Sequence, residues 1–453
     1  MSIFKACDIR GLVGSEITGR TALAVGKAVG SIVRRRSPDD PSVAVGGDVR
    51  PSTPELMGAL VDGLMQTGCK VTDLGILPTP AFYHGKKVLR AYAGVMVTAS
   101  HNPAGFNGFK VMLGDSPVKP EDVQEIRDVV EGGVFAEGGG ARTEADVLDD
   151  YRRFVIEQFG EPIAGGPKVV VDAGGGCMGD LAPAVLRDAG LAVEELYCDN
   201  PGTFPRHPNP ALAEALVDLG DKVRQTGADM GVAYDLDGDR AVFVDENGRA
   251  VPNDDVIVMF VREVLPTIDN PLLVYDIKCS SIVAEAAEAV GGRAVMMPSG
   301  YAYIKRALIE GGAPLGGEVS GHFFFGQFGG DDSLYATLLL ARIVAASGRS
   351  LSQLAAEIPR YFTTPDIRLP MSYDEAERSI RSIIEASVVP LITIDGVRAD
   401  YGYGWALARP SVTEPLLTLR FEAKDGAKVE EIVRDFLRPT PDLLERTLCR
   451  LRQ

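Results

Sequence analysis

The chain has 453 residues, 45% hydrophobic and 24% charged, a globular composition that excludes wholesale disorder and collagen-like structure. At roughly 100–200 residues per domain, it has room for about three or four domains. Its 46 Lys and Arg stand against 63 Asp and Glu, a formal net charge of −17, so nucleic acid and anionic membranes are poor partners and an anionic ligand would need a local cationic nest.

The opening MSIFKACDIRG has no secretory-type apolar core, and no run of about 18 apolar residues occurs that would cross a membrane. Cys7, Cys69, Cys177, Cys198, Cys279 and Cys449 lack CxxC or zinc spacing and read as free thiols of a reducing compartment. The expectation is a cytoplasmic protein.

Residues 43–75 read VAVGGDVR, a helix-like stretch over 53–67, Gly68 and an apolar run at 71–74. The grammar is a buried-type strand, a turn rich in Gly, Asp or Ser, an amphipathic helix, a Gly stop and another strand. The apolar strand Ala93–Val97 then delivers Thr98-Ala99-Ser100-His101-Asn102-Pro103, followed by Asn107-Gly108-Phe109-Lys110. A strand-end Asn-Pro turn can expose one hydroxyl. A serine becomes a nucleophile only with a base or cation beside it, and Lys110 is the candidate. A serine that merely caps a turn would look the same. The stretch 131–140 reads as a surface loop, 144–159 as a helix, and 161–167 as a connection.

The grammar returns over 168–197, with KVVVDAGGGCMG, a helix at 180–189, Gly190 and a strand at 191–197. The apolar Met230–Tyr234 leads into Asp235-Leu236-Asp237-Gly238-Asp239-Arg240. Three carboxylates this close repel one another, and hard oxygen ligands at this density suit Mg²⁺ or Ca²⁺. Counted from Asp235, carboxylates fall at EF-hand positions 1, 3 and 5, with Glu246 at 12. Arg240 occupies position 6, which needs Gly, and strand-like runs flank the loop where an EF-hand has helices. A solvated acidic turn is the other reading. Residues 250–253 join this unit to the next.

The third copy spans 272–300, with LLVYDIKCSS, a helix at 282–290, Gly291-Gly292 and a strand at 294–297. After it comes Gly316-Gly317-Glu318-Val319-Ser320-Gly321-His322. Glu318 and Ser320 can contact neighbouring hydroxyls, as a sugar requires, and His322 can supply a proton or a phosphate contact. A structural Gly-rich turn is the alternative. Beyond 358–360 the character changes to strands at 363–369, 386–394, 405–409 and 416–423 and helices at 373–386 and 428–437, an α+β module. Within it, Arg409-Pro410-Ser411-Val412-Thr413-Glu414-Pro415 is a phosphate cradle or an ordinary polar turn.

The copies start about 100–125 residues apart, the mark of an internal repeat. They predict an α/β protein: three related α/β domains with mixed sheets plus a C-terminal α+β domain around a central cleft. The boundaries fall at 1–150, 151–252, 253–362 and 363–453. A nucleophile, a divalent cation, a hydroxyl reader and an anion cradle, one per domain, describe phosphoryl transfer to or from a polyol phosphate.

These motifs, in this order, resemble the α-D-phosphohexomutases, most closely the bacterial phosphomannomutase/phosphoglucomutase branch. The resemblance runs from FKACDIRG at 4–11 to RPSVTEP at 409–415. It implies that Ser100 carries the phosphoryl group and that Asp235, Asp237 and Asp239 hold Mg²⁺ with a phosphoserine oxygen. Lys110 and Arg240 would flank the phosphoserine, with Lys110 or His322 moving protons. Glu318 and Ser320 would read sugar hydroxyls. Arg409, Ser411 and Thr413 would grip the non-reacting phosphate, and Arg10 and Lys278 would face the substrate. The implied reaction interconverts hexose 1- and 6-phosphates of mannose and/or glucose through a 1,6-bisphosphate, which also serves as activator. The implied protein is a monomer or small homo-oligomer.

The chain departs from the family pattern at four places. Gly47 stands where an arginine is frequent, Cys7 where an aromatic is, Gly175 where Asn is usual, and Tyr301 where the nearest branch has histidine. Tyrosine is a poorer acid/base than histidine near pH 7, and here Tyr301 is assigned to substrate binding. A phosphoglucosamine mutase commonly has Gln after the Glu of the third loop, where this chain has Val319. A phosphatase, or a sugar-phosphate binding protein impaired at Cys7, Gly47 and Tyr301, completes the alternatives.

Overall fold

The computed structural model describes residues 3–199, 202, 204, 208–411 and 415–451. In its first sheet, Ser42–Gly47 lies parallel to Lys70–Ile76 on one side and Ala93–Val97 on the other, and Phe106–Leu113 adds antiparallel. The second sheet repeats this with Lys168–Asp172 between Ala192–Leu196 and Met230–Tyr234, and Ala241–Asp245 antiparallel. The third repeats it again with Leu272–Asp276 between Arg293–Met297 and Leu315–Gly317, and Phe323–Phe325 antiparallel. Each parallel step crosses over through a helix, such as Thr53–Gln66, Leu181–Asp188 or Ser281–Ala289. The fifth place is filled by Ala250–Val251 in the second sheet and Gly330–Asp331 in the third. In the first it is filled from the chain's start by Ile9–Leu12, which carries Arg10.

Ala93–Val97, Met230–Tyr234 and Leu272–Asp276 are buried at every position, which is why they read as apolar runs, broken only by Asp276 at the end of the third. The sequence reading passes from a loop ending at 140 to a helix from about 144 and is corrected in between. Ala141–Glu144 is a strand, parallel to Lys70–Ile76, and the helix begins at Leu148. All four strand residues are exposed, so there was no apolar alternation to read.

The fourth sheet is antiparallel, in the order Phe362–Thr363, Leu416–Ala423, Gly404–Pro410, Val397–Asp400, Leu391–Ile392, with Ile367–Pro370 also on Leu416–Ala423. Within 386–394, read as one strand, only Leu391–Ile392 is extended, after Pro390, while helix Tyr373–Ala386 ends there. Helix Pro441–Leu451 was not anticipated. One apolar core runs through residues of the first three sheets, from Leu74 and Tyr151 to Val169, Phe243 and Phe323. The fourth sheet has its own core around Leu417, Phe421 and Ile432, and meets the third through Ile277, Trp405 and Leu407.

Candidate active site

The first three of the four predicted chemical loops occupy one topological position. Each is the turn from the last parallel strand of its sheet into the antiparallel strand: 98–105, 235–240 and 318–322. The three turns dock on one another. Ser100 Oγ donates to Asp235 Oδ2 at 2.8 Å. Thr79, from the first domain, donates its N–H to the Asp237 carbonyl and its hydroxyl to Asp237 Oδ2, both at 2.8 Å. The Ala241 N–H donates to the Gly321 carbonyl at 3.0 Å, and Ser333 Oγ to the Gly238 carbonyl at 2.6 Å. Ser100 itself has φ +48°, a left-handed conformation that a non-glycine residue holds only when its surroundings impose it.

Asp235, Asp237 and Asp239 are fully buried. Lys110 Nζ donates to Asp237 Oδ2 at 2.7 Å and to Asp239. Burial opposes the Lys110 charge, but the Asp237 and Asp239 carboxylates outweigh it and hold the ammonium well above its usual range. Burial, with Asp239 and Asp237 beside it, pushes the Asp235 carboxyl well up. Burial also works against the Asp239 charge, yet Lys110 and His322 hold that carboxyl well below its usual range. Among the described residues, Asp237 Oδ1 has no hydrogen-bond partner, and Asp239 Oδ1 has only His322 Nε2 at 3.3 Å, outside hydrogen-bond geometry. Buried carboxylate oxygens are rarely left in this way. Orphaned oxygens on a cluster of three carboxylates, with a serine hydroxyl alongside, fit a hard divalent cation.

In the third loop, His322 Nδ1 lies 2.9 Å from Ser320 Oγ and 3.2 Å from Glu318 Oε2. Burial opposes the imidazolium, but Asp239 prevails and the pKa is pushed up to about 9. The Tyr301 ring stacks on His322 with centroids 6.1 Å apart, and Lys110 Nζ lies 5.2 Å from the Tyr301 ring. Tyr301 therefore bridges the two proton-bearing groups. The Gly47 departure is also built in, because a Cβ there would stand 2.4 Å from Thr53 Cγ2.

The cations expected to meet substrate each face a carboxylate of the protein. Arg10 donates to Asp8 Oδ2 and Asn102 Oδ1, both at 2.6 Å. Arg240 Nε lies 3.7 Å from Asp235 Oδ2, and Lys278 Nζ donates to Asp366 Oδ2 at 3.3 Å. Arg409 Nε donates to Asp395 Oδ2 at 2.8 Å, and that oxygen also accepts the Ser299 N–H at 3.1 Å, tying the fourth domain to the third. The Ser411 N–H donates to the Leu416 carbonyl at 2.9 Å, while Thr413 lies outside the described residues. Asp366 and Asp395 were not anticipated: neither stands in a cluster or a spacing that marks a site. The Asp48–Arg50 pair behind Ser100 stands in the VAVGGDVR strand end, beside the Gly47 departure, and was given no role by the sequence.

The chain matches the four domain models of one family: phosphoglucomutase/phosphomannomutase alpha/beta/alpha domain I over residues 1–137, domain II over 149–248, domain III over 252–362 and the C-terminal domain over 353–438. It is 38% identical over 437 residues to a phosphomannomutase/phosphoglucomutase of Pseudomonas aeruginosa, covering 95% of this chain and 94% of that one. It is 34% identical over 444 residues to a phosphoglucomutase of Neisseria meningitidis, covering 96% and 95%. The crystal structure of a phosphoglucomutase/phosphomannomutase family protein from Burkholderia thailandensis superposes with a TM-score of 0.90 at 35% identity, covering 96% of each chain. With matches to every domain model and relatives spanning nearly its whole length, the chain belongs to the phosphoglucomutase/phosphomannomutase family.

Proposed function

We propose that this protein interconverts the 1- and 6-phosphates of mannose and/or glucose through phosphorylated Ser100 and a hexose 1,6-bisphosphate. The observation that carries the reading is the placement of Ser100 Oγ, 2.8 Å from Asp235 and beside two further buried carboxylates anchored by Lys110. Asp235, Asp237 and Asp239 would hold Mg²⁺ with a phosphoserine oxygen, and the ion would offset charge on the transferring group. Ser100 gives its phosphoryl group to the free sugar hydroxyl: the bond from phosphorus to the serine oxygen breaks as the bond to the sugar oxygen forms. The bisphosphate then turns and returns its other phosphate to Ser100. Lys110 or His322 exchanges the hydroxyl proton, with Tyr301 packed against both. Glu318 and Ser320 release His322 to read sugar hydroxyls. Arg409, Ser411 and Thr413 hold the phosphate that is not reacting, while Arg10, Lys278 and Arg240 line its approach.

The test is ³¹P NMR with Mg²⁺, a trace of glucose 1,6-bisphosphate, and mannose 1-phosphate or glucose 1-phosphate. The expected result is growth of the 6-phosphate signal, lost on chelation and absent in a folded Ser100→Ala variant. Release of inorganic phosphate alone would make the protein a phosphatase. Turnover of glucosamine phosphate alone would move it to the amino-sugar branch.

A further inference from the structure

Arg50 is 1% exposed and touches no predicted substrate group, yet every donor of its guanidinium is used. Nη2 donates to the carbonyls of Ser100 at 2.7 Å and Asn102 at 2.6 Å. Nη1 donates to those of Pro103 at 2.8 Å and Phe106 at 3.0 Å. Nε donates to Asp48 Oδ2 at 3.1 Å. Three carbonyls of one turn and that of the first residue of the following strand thus point at one cation. Carbonyl dipoles aimed at a common point repel one another, and a planar fork of donors is the side chain that can hold four of them.

The Ser100 amide is tied to the same pair. Its N–H donates to Thr98 Oγ1 at 2.8 Å, and that hydroxyl donates to Asp48 Oδ2 at 2.7 Å. Asp48, fully buried, also accepts the Arg50 N–H at 3.0 Å and the Thr53 hydroxyl at 2.8 Å. Both polar groups of the Ser100 backbone therefore end in the Asp48–Arg50 pair, at a residue whose φ is +48°. Asn102, gripped through its carbonyl, is the partner of Arg10.

The threefold repeat gives an internal comparison. At the end of the first strand of each repeat, an Asp accepts the N–H two residues on: Asp48 from Arg50, Asp172 from Gly174 and Asp276 from Lys278. In the third repeat the cation at this place reaches Asp366 of the fourth domain. In the first it turns inward onto the serine turn.

We propose that Arg50 is the positioning residue of phosphoryl transfer, holding the Ser100 turn in its left-handed conformation and so setting the rate at which Ser100 gives and takes phosphate; the kinetic part of this rests on the mutase reading above. Arg50→Lys keeps the charge but cannot reach four carbonyls. It is expected to lower kcat about 100-fold, the scale of a small misplacement of a reacting group, with KM for the hexose phosphate within about threefold of wild type. Phosphorylation of Ser100 by glucose 1,6-bisphosphate, followed by intact mass, should slow in parallel, and hydrogen exchange across 98–106 should quicken. A folded variant with wild-type kcat, or one whose KM rises while kcat holds, overturns the proposal. If Arg50→Lys does not fold, Thr98→Val, which cuts the link from Asp48 to the Ser100 N–H, should lower kcat about tenfold at unchanged KM, and unchanged kcat overturns the proposal. If wild-type Ser100 takes no phosphate, the mutase reading fails, and exchange alone decides whether Arg50 holds the turn: unchanged protection overturns it.

Discussion

A buried carboxylate can be stabilised by a cation, by hydrogen bonds or by a proton, and this protein uses all three. Asp237 has Lys110, Asp48 has Arg50 and two hydroxyls, and burial drives Asp332 toward its protonated form. The Asp332 carboxyl is pushed up to about 7 by burial, with Asp331 beside it, against the pull of the Tyr335 N–H and the Tyr151 hydroxyl. Unfolded, it would titrate near 3.8. Folding therefore takes up a proton between those values, so the stability linked to this group is whole below about pH 4 and is lost as pH rises to about 7. Asp332→Asn removes the loss, and its Tm should gain on wild type steadily from pH 4.5 to 7.5 in calorimetry; parallel curves would show Asp332 ionised throughout. Lys110→Met strands Asp237 and Asp239, and breaking a buried pair costs about 3–5 kcal/mol. Its Tm should fall well below wild type and recover in part with Mg²⁺; no recovery would mean that no cation shares those oxygens. At this scale Ser100, Lys110 and the three aspartates were legible because each stands in a dense local motif. Asp366 and Asp395 were not, because their partners come from elsewhere in the chain.

Elements carry the site by their register. Ile9–Leu12 pairs with Phe106–Leu113 so that Arg10 lies opposite Gly108, where a Cβ would stand 2.2 Å from the Ile9 carbonyl oxygen. Gly108→Ala should push that strand away and take Arg10 with it. Overpacking of this kind costs about 1–3 kcal/mol, so kcat/KM should fall about tenfold or more while the Mg²⁺-induced rise in Tm survives. Full activity would mean that Arg10 does not depend on this pairing. The three repeats were readable because their central strands are buried on both faces and each helix ends in a Gly stop. Ala141–Glu144 was not, because an exposed edge strand is defined by its neighbour and not by its own side chains.

Across the whole molecule, one apolar core runs through parts of the first three domains and the first domain adds a second core of its own, while the fourth is packed separately and joins the third through a small apolar contact. Arg398 reinforces that joint, lying 3.9 Å from the Trp405 ring and donating to the carbonyls of Ile277 and, at 3.2 Å, Cys279, on either side of Lys278. The distance from Ser100 to Asp235 is set where the first and second domains dock, through the Ser100–Asp235 and Thr79–Asp237 hydrogen bonds, whereas the Arg409 turn rides on a separately packed body. Width of the cleft can then change without disturbing the reacting atoms, as a bisphosphate that must turn between half-reactions requires. The number and kind of domains were visible in the sequence; which of them share a core was not, since apolar runs do not name their partners.

The pairing of Arg10, Arg240, Lys278 and Arg409 with internal carboxylates has a kinetic consequence. An arriving phosphate meets these four cations already paired. It approaches a body of net charge −17 and must exchange places with the carboxylates beside Arg10, Lys278 and Arg409. Long-range forces then oppose encounter, so salt should help. Between about 10 and 100 mM, as the Debye length shrinks from about 30 to about 10 Å, kcat/KM for the hexose phosphate should rise, the reverse of an electrostatically steered enzyme. A fall over the same range would mean that the cations reach past their partners into solvent.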